Sequence, residues 1–91
     1  MHYYVYTLFS HRDKKLYSGF TTNLKARLSE HAQGKVTSNK YRRPLKLIHY
    51  EYFIDEEEAK KREVFLKSGF GRNQLKEALK MTLIKLDYKN L

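Results

Sequence analysis

Two strand-like stretches near the start of the chain place the strongest constraint on its fold. Residues 3–9 (YYVYTLF) and Leu16–Thr21 (LYSGFT) are rich in aromatic and β-branched residues, and the segment between them is polar. Such a pair predicts an antiparallel β-hairpin. An isolated hairpin is only marginally stable in water, so the rest of the chain must supply another strand or helices that cover one face.

The middle of the chain is marked by a capping residue and by an alternating pattern. Asn23 is suited to cap a helix over residues 24–33, which is expected to stop at Gly34. The stretch LKLIHYEYF at Leu45–Phe53 alternates between apolar and polar residues and predicts a third strand.

Two further helices are predicted in the last part of the chain. Asp55, with Glu58 three residues later, forms a capping-box pattern, and the helix that it opens is expected to end near Gly69. A last helix is predicted from about Arg72 over residues 73–83, and the tail after residue 84 has no assignment.

The length of the chain allows a single core. We therefore predict one α+β domain over residues 1–91, in which helices flank a small antiparallel sheet of about three strands in the order β-β-α-β-α-α.

The charge of the chain favours a polyanionic partner. There are 19 Lys and Arg against 10 Asp and Glu, a formal net charge of +9 that is spread along the sequence. Nucleic acid is the expected partner, although a soluble protein that is simply basic would show the same composition. The sequence has no long apolar run or signal-like segment, so we predict a cytoplasmic protein with no membrane partner. Without cysteine, a metal would need oxygen or histidine ligands, which favours Mg²⁺ or Mn²⁺.

Two tyrosines occupy the middle of the predicted hairpin. Alternate residues of a strand share a face, so Tyr6 and Tyr17 are expected on one face, opposite or diagonal to each other. Aromatic packing would explain this arrangement, and so would a shared ligand. Gly19, inside the second strand, suits either a β-bulge or a close approach by a ligand or another backbone.

The first helix carries two candidate side chains on one face. Arg27 and His31 are four residues apart, which places a guanidinium that can grip phosphate beside an imidazole that titrates near neutral pH. Both would also be ordinary as solvated surface residues.

One carboxylate stands on an otherwise apolar row. In the helix after Asp55, Glu63 follows the spacing of Ala59, Leu66 and Phe70, which is the spacing of a buried face. An acid in that position needs a partner, either a cation in an ion pair or a divalent metal.

Taken together, these stretches resemble the GIY-YIG nuclease superfamily, and in particular its small single-domain bacterial members. The first signature is present as Tyr4, Val5 and Tyr6, and the second as Tyr17, Ser18 and Gly19. They are followed in the family's order and spacing by TTNLKARLSEHAQGK, YRRPLKLIHYEYF and EEEAKKREVFLKSGFGR, so that the resemblance covers about residues 3–80.

The sequence departs from the family pattern at four positions. Tyr4 stands where the family name has glycine, Val5 and Ser18 each replace isoleucine, and Phe20 stands where some members carry lysine. The missing lysine removes one phosphate contact or proton acceptor and makes His31 more important.

The resemblance implies a metal-dependent endonuclease with a GIY-YIG-like fold, acting on DNA in preference to RNA, with DNA repair as a setting. It implies that Glu63 holds one Mg²⁺ or Mn²⁺ ion and that Arg27 stabilises the phosphate. Tyr6, Tyr17 and His31 would activate the attacking water, without separate roles assigned to the two tyrosines. Asn73 corresponds to a late asparagine found near some family sites.

Several alternatives remain open at this point. The fold and charge would also suit a nucleic-acid-binding module that does not cleave, or a basic structural protein of ribosomal type. A strip of basic and aromatic residues is the expected nucleic-acid contact, although a solvated loop would look the same. A protein partner or a homodimer would supply the specificity that attached domains give to larger relatives. The strip comprises Lys35, Lys40, Tyr41, Arg42 and Arg43.

Overall fold

The predicted hairpin forms and is extended by one more strand. In the computed structural model, which describes residues 1–88, the strands are β1 (Tyr3–Ser10), β2 (Leu16–Thr21) and β3 (Leu45–Phe53). They form one antiparallel sheet in the order β2-β1-β3. The strand that carries Tyr6 is therefore central, with a neighbour on each side.

The first helix is bounded by the residues that the sequence singled out. Helix α1 covers Leu24–Ala32, and the side-chain oxygen of Asn23 accepts a hydrogen bond from the backbone N–H of Ala26 at 3.1 Å. Gly34 follows the helix with a φ of +75°, a backbone conformation that glycine adopts without strain. A short 3₁₀ turn, Lys40–Arg42, precedes β3.

Three helices, and not two, follow β3 in the described part of the chain. They are α2 (Glu56–Lys67), α3 (Gly69–Ala78) and α4 (Lys80–Lys85), so the element order is β-β-α-β-α-α-α. The predicted start near Arg72 was wrong because Ser68 caps α3: its hydroxyl accepts from the N–H of Gly71 at 3.2 Å. The predicted single helix is also divided at Leu79, which leaves the helical conformation.

The C-terminal helices cover one face of the sheet. Val5 of β1 packs with Ala59 and Leu66 of α2 and with Leu75 of α3, and a second cluster joins Phe9, Leu16, Leu83 and Tyr88. Because Val5 and Tyr6 are adjacent on β1, their side chains point to opposite faces. The tyrosine face is thus left to helix α1.

The predicted apolar row on the second helix is only partly correct. Ala59 and Leu66 are buried, but Phe70 is 84 % exposed. Helix α2 ends at Lys67, and the chain turns at Ser68 into α3, so Phe70 does not continue the row.

An ion pair ties helix α2 to strand β3. Arg62 donates two hydrogen bonds to the carboxylate of Glu51, at 2.9 and 3.2 Å, and His49 lies 3.1 Å from the same carboxylate. Burial opposes ionisation of Glu51, but these contacts outweigh it and hold its pKa below the ordinary value. The pair therefore fixes the position of α2 against the sheet. Over residues 1–88, no helix is both long and apolar enough to span a bilayer.

Candidate active site

Tyr6 lies at the centre of the candidate site. Its side chain is fully buried, and it stands opposite Gly19 in the continuous β1–β2 register. A Cβ atom on Gly19 would lie 2.5 Å from the Tyr6 hydroxyl oxygen. The glycine therefore serves a close approach by the Tyr6 ring, and the β1–β2 pairing shows no bulge at this position.

His31 binds Tyr6 on one side and Asn39 on the other. The Tyr6 hydroxyl is 2.8 Å from Nε2 of His31, and Nδ1 of His31 is 3.0 Å from the side-chain oxygen of Asn39. An amide oxygen only accepts, so Nδ1 carries the proton and Nε2 accepts from the Tyr6 O–H. Burial lowers the pKa of His31, although the contact with Asn39 opposes that shift. The imidazole is therefore held in its neutral form with one defined tautomer.

Arg27 reaches the same hydroxyl from helix α1. Its Nε–H donates to the Tyr6 oxygen at 3.4 Å, and its Nη1 lies 3.4 Å from Glu30. Burial raises the pKa of Tyr6, while the hydrogen bond from Arg27 acts in the opposite direction. Tyr6 thus keeps its proton. The Arg27 side chain is 36 % exposed, so its guanidinium is held at one end and accessible at the other.

Tyr17 is the accessible phenol of the pair. It is diagonal to Tyr6 on the same face, since it stands opposite Leu8 in the β1–β2 register. Its ring centroid is 6.4 Å from that of Tyr6 and 5.6 Å from that of His31. Unlike Tyr6, Tyr17 is only partly buried. The hypothesis that the two tyrosines share a face is consistent with this geometry.

Glu63 approaches the site from helix α2. Its side chain is 22 % exposed and pairs with Lys67 at 3.2 Å, and the Lys67 ammonium lies 6.0 Å from the centroid of the Tyr17 ring. The negative charge of Glu63 is one of the smaller causes that raise the pKa of Tyr6. The ion-pair alternative for this carboxylate is therefore present in the structure.

The donor set limits how a metal would bind. Among the described residues there is no group of three or more His, Asp or Glu side chains arranged to hold a metal ion. A single carboxylate, completed by substrate phosphate oxygens and waters, is nevertheless a common way to hold Mg²⁺. The partly exposed Glu63 fits that kind of site.

The expected contact strip is divided between structural and accessible residues. Arg42 pairs with Asp13 at 2.7 Å, and Arg43 donates to two backbone carbonyl oxygens, those of Lys40 and Ala32. Lys35 is exposed, and Tyr41 is 75 % exposed with the Lys40 ammonium 5.0 Å from its ring centroid. The strip adjoins the site through the neighbouring Asn39, whereas Asn73 is simply an exposed residue of α3.

Sequence reasoning missed Asn39. It is 1 % exposed and precedes the 3₁₀ turn, inside a segment that reads as a polar loop. Loop residues follow no helical or strand period, so the pattern of residues 35–43 offers no signal that one amide turns inward to meet His31.

The sequence that builds this fold matches a nuclease-type family. Residues 2–76 match the family model described as the GIY-YIG catalytic domain. The chain belongs to the GIY-YIG family.

Similar proteins form a small group within that family. The UPF0213 protein SH2523 of Staphylococcus haemolyticus is 41 % identical over 73 residues, which cover 79 % of this chain and 87 % of the relative. The UPF0213 protein SpyM50708 of Streptococcus pyogenes serotype M5 is 43 % identical over 63 residues, or 68 % of each chain. The solution structure of the UPF0213 protein BH0048 of Bacillus halodurans is 35 % identical with a TM-score of 0.55, covering 86 % of this chain and 85 % of that one.

Proposed function

We propose that this protein is a metal-dependent endonuclease that hydrolyses phosphodiester bonds in nucleic acid, with DNA as the preferred substrate. The observation that carries the proposal is the convergence of Tyr6, Tyr17, Arg27 and His31 on one face of the sheet, with Glu63 beside them. A domain that only binds nucleic acid has no need of a partly buried carboxylate beside these side chains, because its negative charge would repel phosphate.

The burial of the site residues supports a division of roles. Tyr6 and His31 have almost no exposed surface, so they act as positioning residues. Arg27, Tyr17 and Glu63 are partly exposed and face the substrate. The Tyr6 oxygen accepts from Nε of Arg27 and so holds the guanidinium in place for the phosphate.

The chemistry follows from these placements. Arg27 donates hydrogen bonds to the phosphate oxygens and stabilises the charge that develops on them in the transition state. The Tyr17 hydroxyl orients the water that attacks phosphorus. As the new bond to phosphorus forms, the bond to the leaving oxygen breaks, the attacking water gives up a proton to solvent, and the leaving oxygen takes up a proton from solvent. Glu63 would hold a Mg²⁺ or Mn²⁺ ion, which would supply charge neutralisation and a more acidic water.

The site residues alone do not select a substrate. Lys35, Lys40 and Tyr41 extend the contact with the nucleic-acid backbone, and a protein partner or a second copy of the chain would add specificity. A cytoplasmic location and a role in DNA repair belong to the same proposal.

A cleavage assay with Glu63→Gln tests the proposal. The variant keeps the size of the side chain but removes the charge, so metal-dependent cleavage of labelled DNA is expected to fall at least about a hundredfold. Glu56→Gln is the matched control, since Glu56 also pairs with a lysine one turn later, Lys60, at 3.4 Å in the same helix. This control is expected to cleave at the natural rate.

Other outcomes would identify the competing functions. Tight DNA binding without cleavage by the natural protein, on single-stranded, duplex or branched substrates with either metal, would indicate a binding module on the same fold. A loss of stability in Glu63→Gln without a loss of activity would indicate a structural role for this carboxylate.

A further inference from the structure

Three tyrosines form a partly exposed aromatic surface on the same side of the sheet as Tyr6. We call Tyr4, Tyr50 and Tyr52 the aromatic shelf. The ring centroid of Tyr4 is 6.1 Å from that of Tyr50 and 5.6 Å from that of Tyr52. Tyr50 is 52 % exposed and Tyr52 is 49 % exposed. Tyr4 is only partly exposed, and His2 packs on Tyr52 with ring centroids 5.4 Å apart, so Tyr50 presents the most open ring of the three.

The strand register places the shelf on the same side of the sheet as the candidate site. Tyr50 stands opposite Tyr6, and Tyr52 stands opposite Tyr4, in the pairing of β1 with β3. Paired and alternate positions share a face, so the shelf and Tyr6 lie on the same side of the sheet. Tyr6 itself is buried, and the shelf lies along the side of α1 that carries Lys25, whereas Arg27, two residues further on, faces a different side of that helix.

A groove separates the shelf from the start of helix α1. Its volume is about 570 Å³, within the range of ordinary ligand sites. Its lining combines aromatic rings, apolar side chains and the cation of Lys25, with no carboxylate among the lining residues. The lining is His2, Tyr4, Thr22, Asn23, Leu24, Lys25, Leu28 and Tyr50.

We propose that the aromatic shelf stacks unpaired nucleobases of a single-stranded segment that runs along the Lys25 side of α1, with Lys25 contacting the backbone. The inference rests on the proposed function, because it names the form of the substrate that the protein would cleave. Stacking on tyrosine needs a free base face, which a duplex hides between neighbouring base pairs. The net charge of +9 suits the phosphates of such a strand.

Binding to matched strands with and without bases tests the shelf. A labelled single strand of DNA is compared with the same backbone carrying abasic sites, in EDTA so that no cleavage occurs, by fluorescence anisotropy. Tyr50→Ala is expected to weaken binding of the base-containing strand about 5- to 100-fold and to leave the abasic strand unchanged. The Tyr50→Phe variant keeps the ring and is expected to bind as the natural protein does.

Phe70→Ala is the matched control, because Phe70 is a more exposed aromatic residue of α3, a helix that packs on the opposite face of the sheet. A base-dependent loss in Phe70→Ala but not in Tyr50→Ala would overturn the shelf, and so would an equal loss of Tyr50→Ala on both strands. Tyr52→Ala gives a second test if Tyr50→Ala does not fold. An RNA strand in a parallel arm shows which sugar is preferred.

The binding assay separates this inference from the proposed function. If binding depends on the bases and on Tyr50 but the protein does not cleave any substrate, the proposed role of the shelf is supported and the proposed nuclease activity is contradicted. If metal-dependent cleavage requires Glu63 but the affinity is the same with and without bases, the nuclease activity is supported and the role of the shelf is contradicted.

Discussion

At the scale of single residues, the protonation of the site depends on Asn39. Its side-chain oxygen accepts from Nδ1 of His31, which leaves Nε2 free to accept from Tyr6. Burial places the pKa of His31 below its ordinary 6.5 in the folded protein. The unfolded chain therefore takes up a proton first as the pH falls. Burial of the neutral His31 therefore stabilises the folded protein fully above pH 6.5, and this stabilisation decreases as the pH falls below 6.5.

Asn39→Asp is expected to raise the pKa of His31. A carboxylate at this position stabilises the imidazolium, so the loss of stability below pH 6.5 should become smaller. The pKa is measured by NMR titration of the His31 ring, and the stability by urea unfolding on both sides of that pH. Asn73→Asp, at an exposed asparagine of α3, is the control and should leave the titration unchanged. A His31 pKa that does not respond to Asn39→Asp would contradict the assigned tautomer.

The relative positions of site residues could be predicted where those residues lie on strands or helices, because these elements have a regular period. Alternation along two strands was enough to place Tyr6 and Tyr17 on one face, and the i, i+4 spacing was enough to place Arg27 beside His31. The burial of His31 could not be read in this way, because it depends on Asn39 folding back from a loop.

At the scale of the elements, the pairing of β1 with β2 depends on a position without a side chain. Gly19→Ala would bring a Cβ to 2.5 Å from the Tyr6 hydroxyl and 2.7 Å from the ring carbon that carries it. The ring is held by His31 and Arg27, so the clash is expected to cost about 1–3 kcal/mol of the free energy of unfolding. Urea unfolding measures that cost, and cleavage activity should fall with it.

Gly69→Ala is the matched control for this strand position. A Cβ there would have no atom within 4 Å, and Gly69 is the first residue of α3. The substitution is expected to be neutral or to stabilise the protein by up to about 1 kcal/mol. Equal destabilisation by the two alanines would show that the contact with Tyr6 does not explain Gly19.

The helix boundaries show which helix starts can be predicted from sequence patterns and which cannot. Asn23 and Asp55 were found because a cap side chain marks the start of a helix directly, and both accept the expected backbone hydrogen bonds. Ser68 is also a cap, but Gly69 and Gly71 follow it directly and indicate a helix end, so the next helix was predicted to begin only after them. The redirection of the chain there exposes Phe70, and it depends on tertiary packing that periodicity does not encode.

At the scale of the whole molecule, charge predicts the kind of partner but not where it binds. The excess of cations is spread along the sequence, and several of them are used within the protein. Arg62 holds Glu51, Arg42 holds Asp13, and Lys67 pairs with Glu63. The location of a binding path therefore has to come from the aromatic shelf and its groove, which the net charge cannot reveal.

The salt dependence of binding tests whether the path passes Lys25. Each phosphate neutralised on a single strand adds about 0.7 to the slope of log affinity against log salt, so Lys25→Gln is expected to lower that slope by about 0.7. The affinity is measured in EDTA over a series of salt concentrations. Lys80→Gln, on helix α4 across the sheet, removes the same charge and should leave the slope unchanged. Equal effects of the two variants would mean that the strand is held by the overall field of the protein, since a defined path past Lys25 requires the difference.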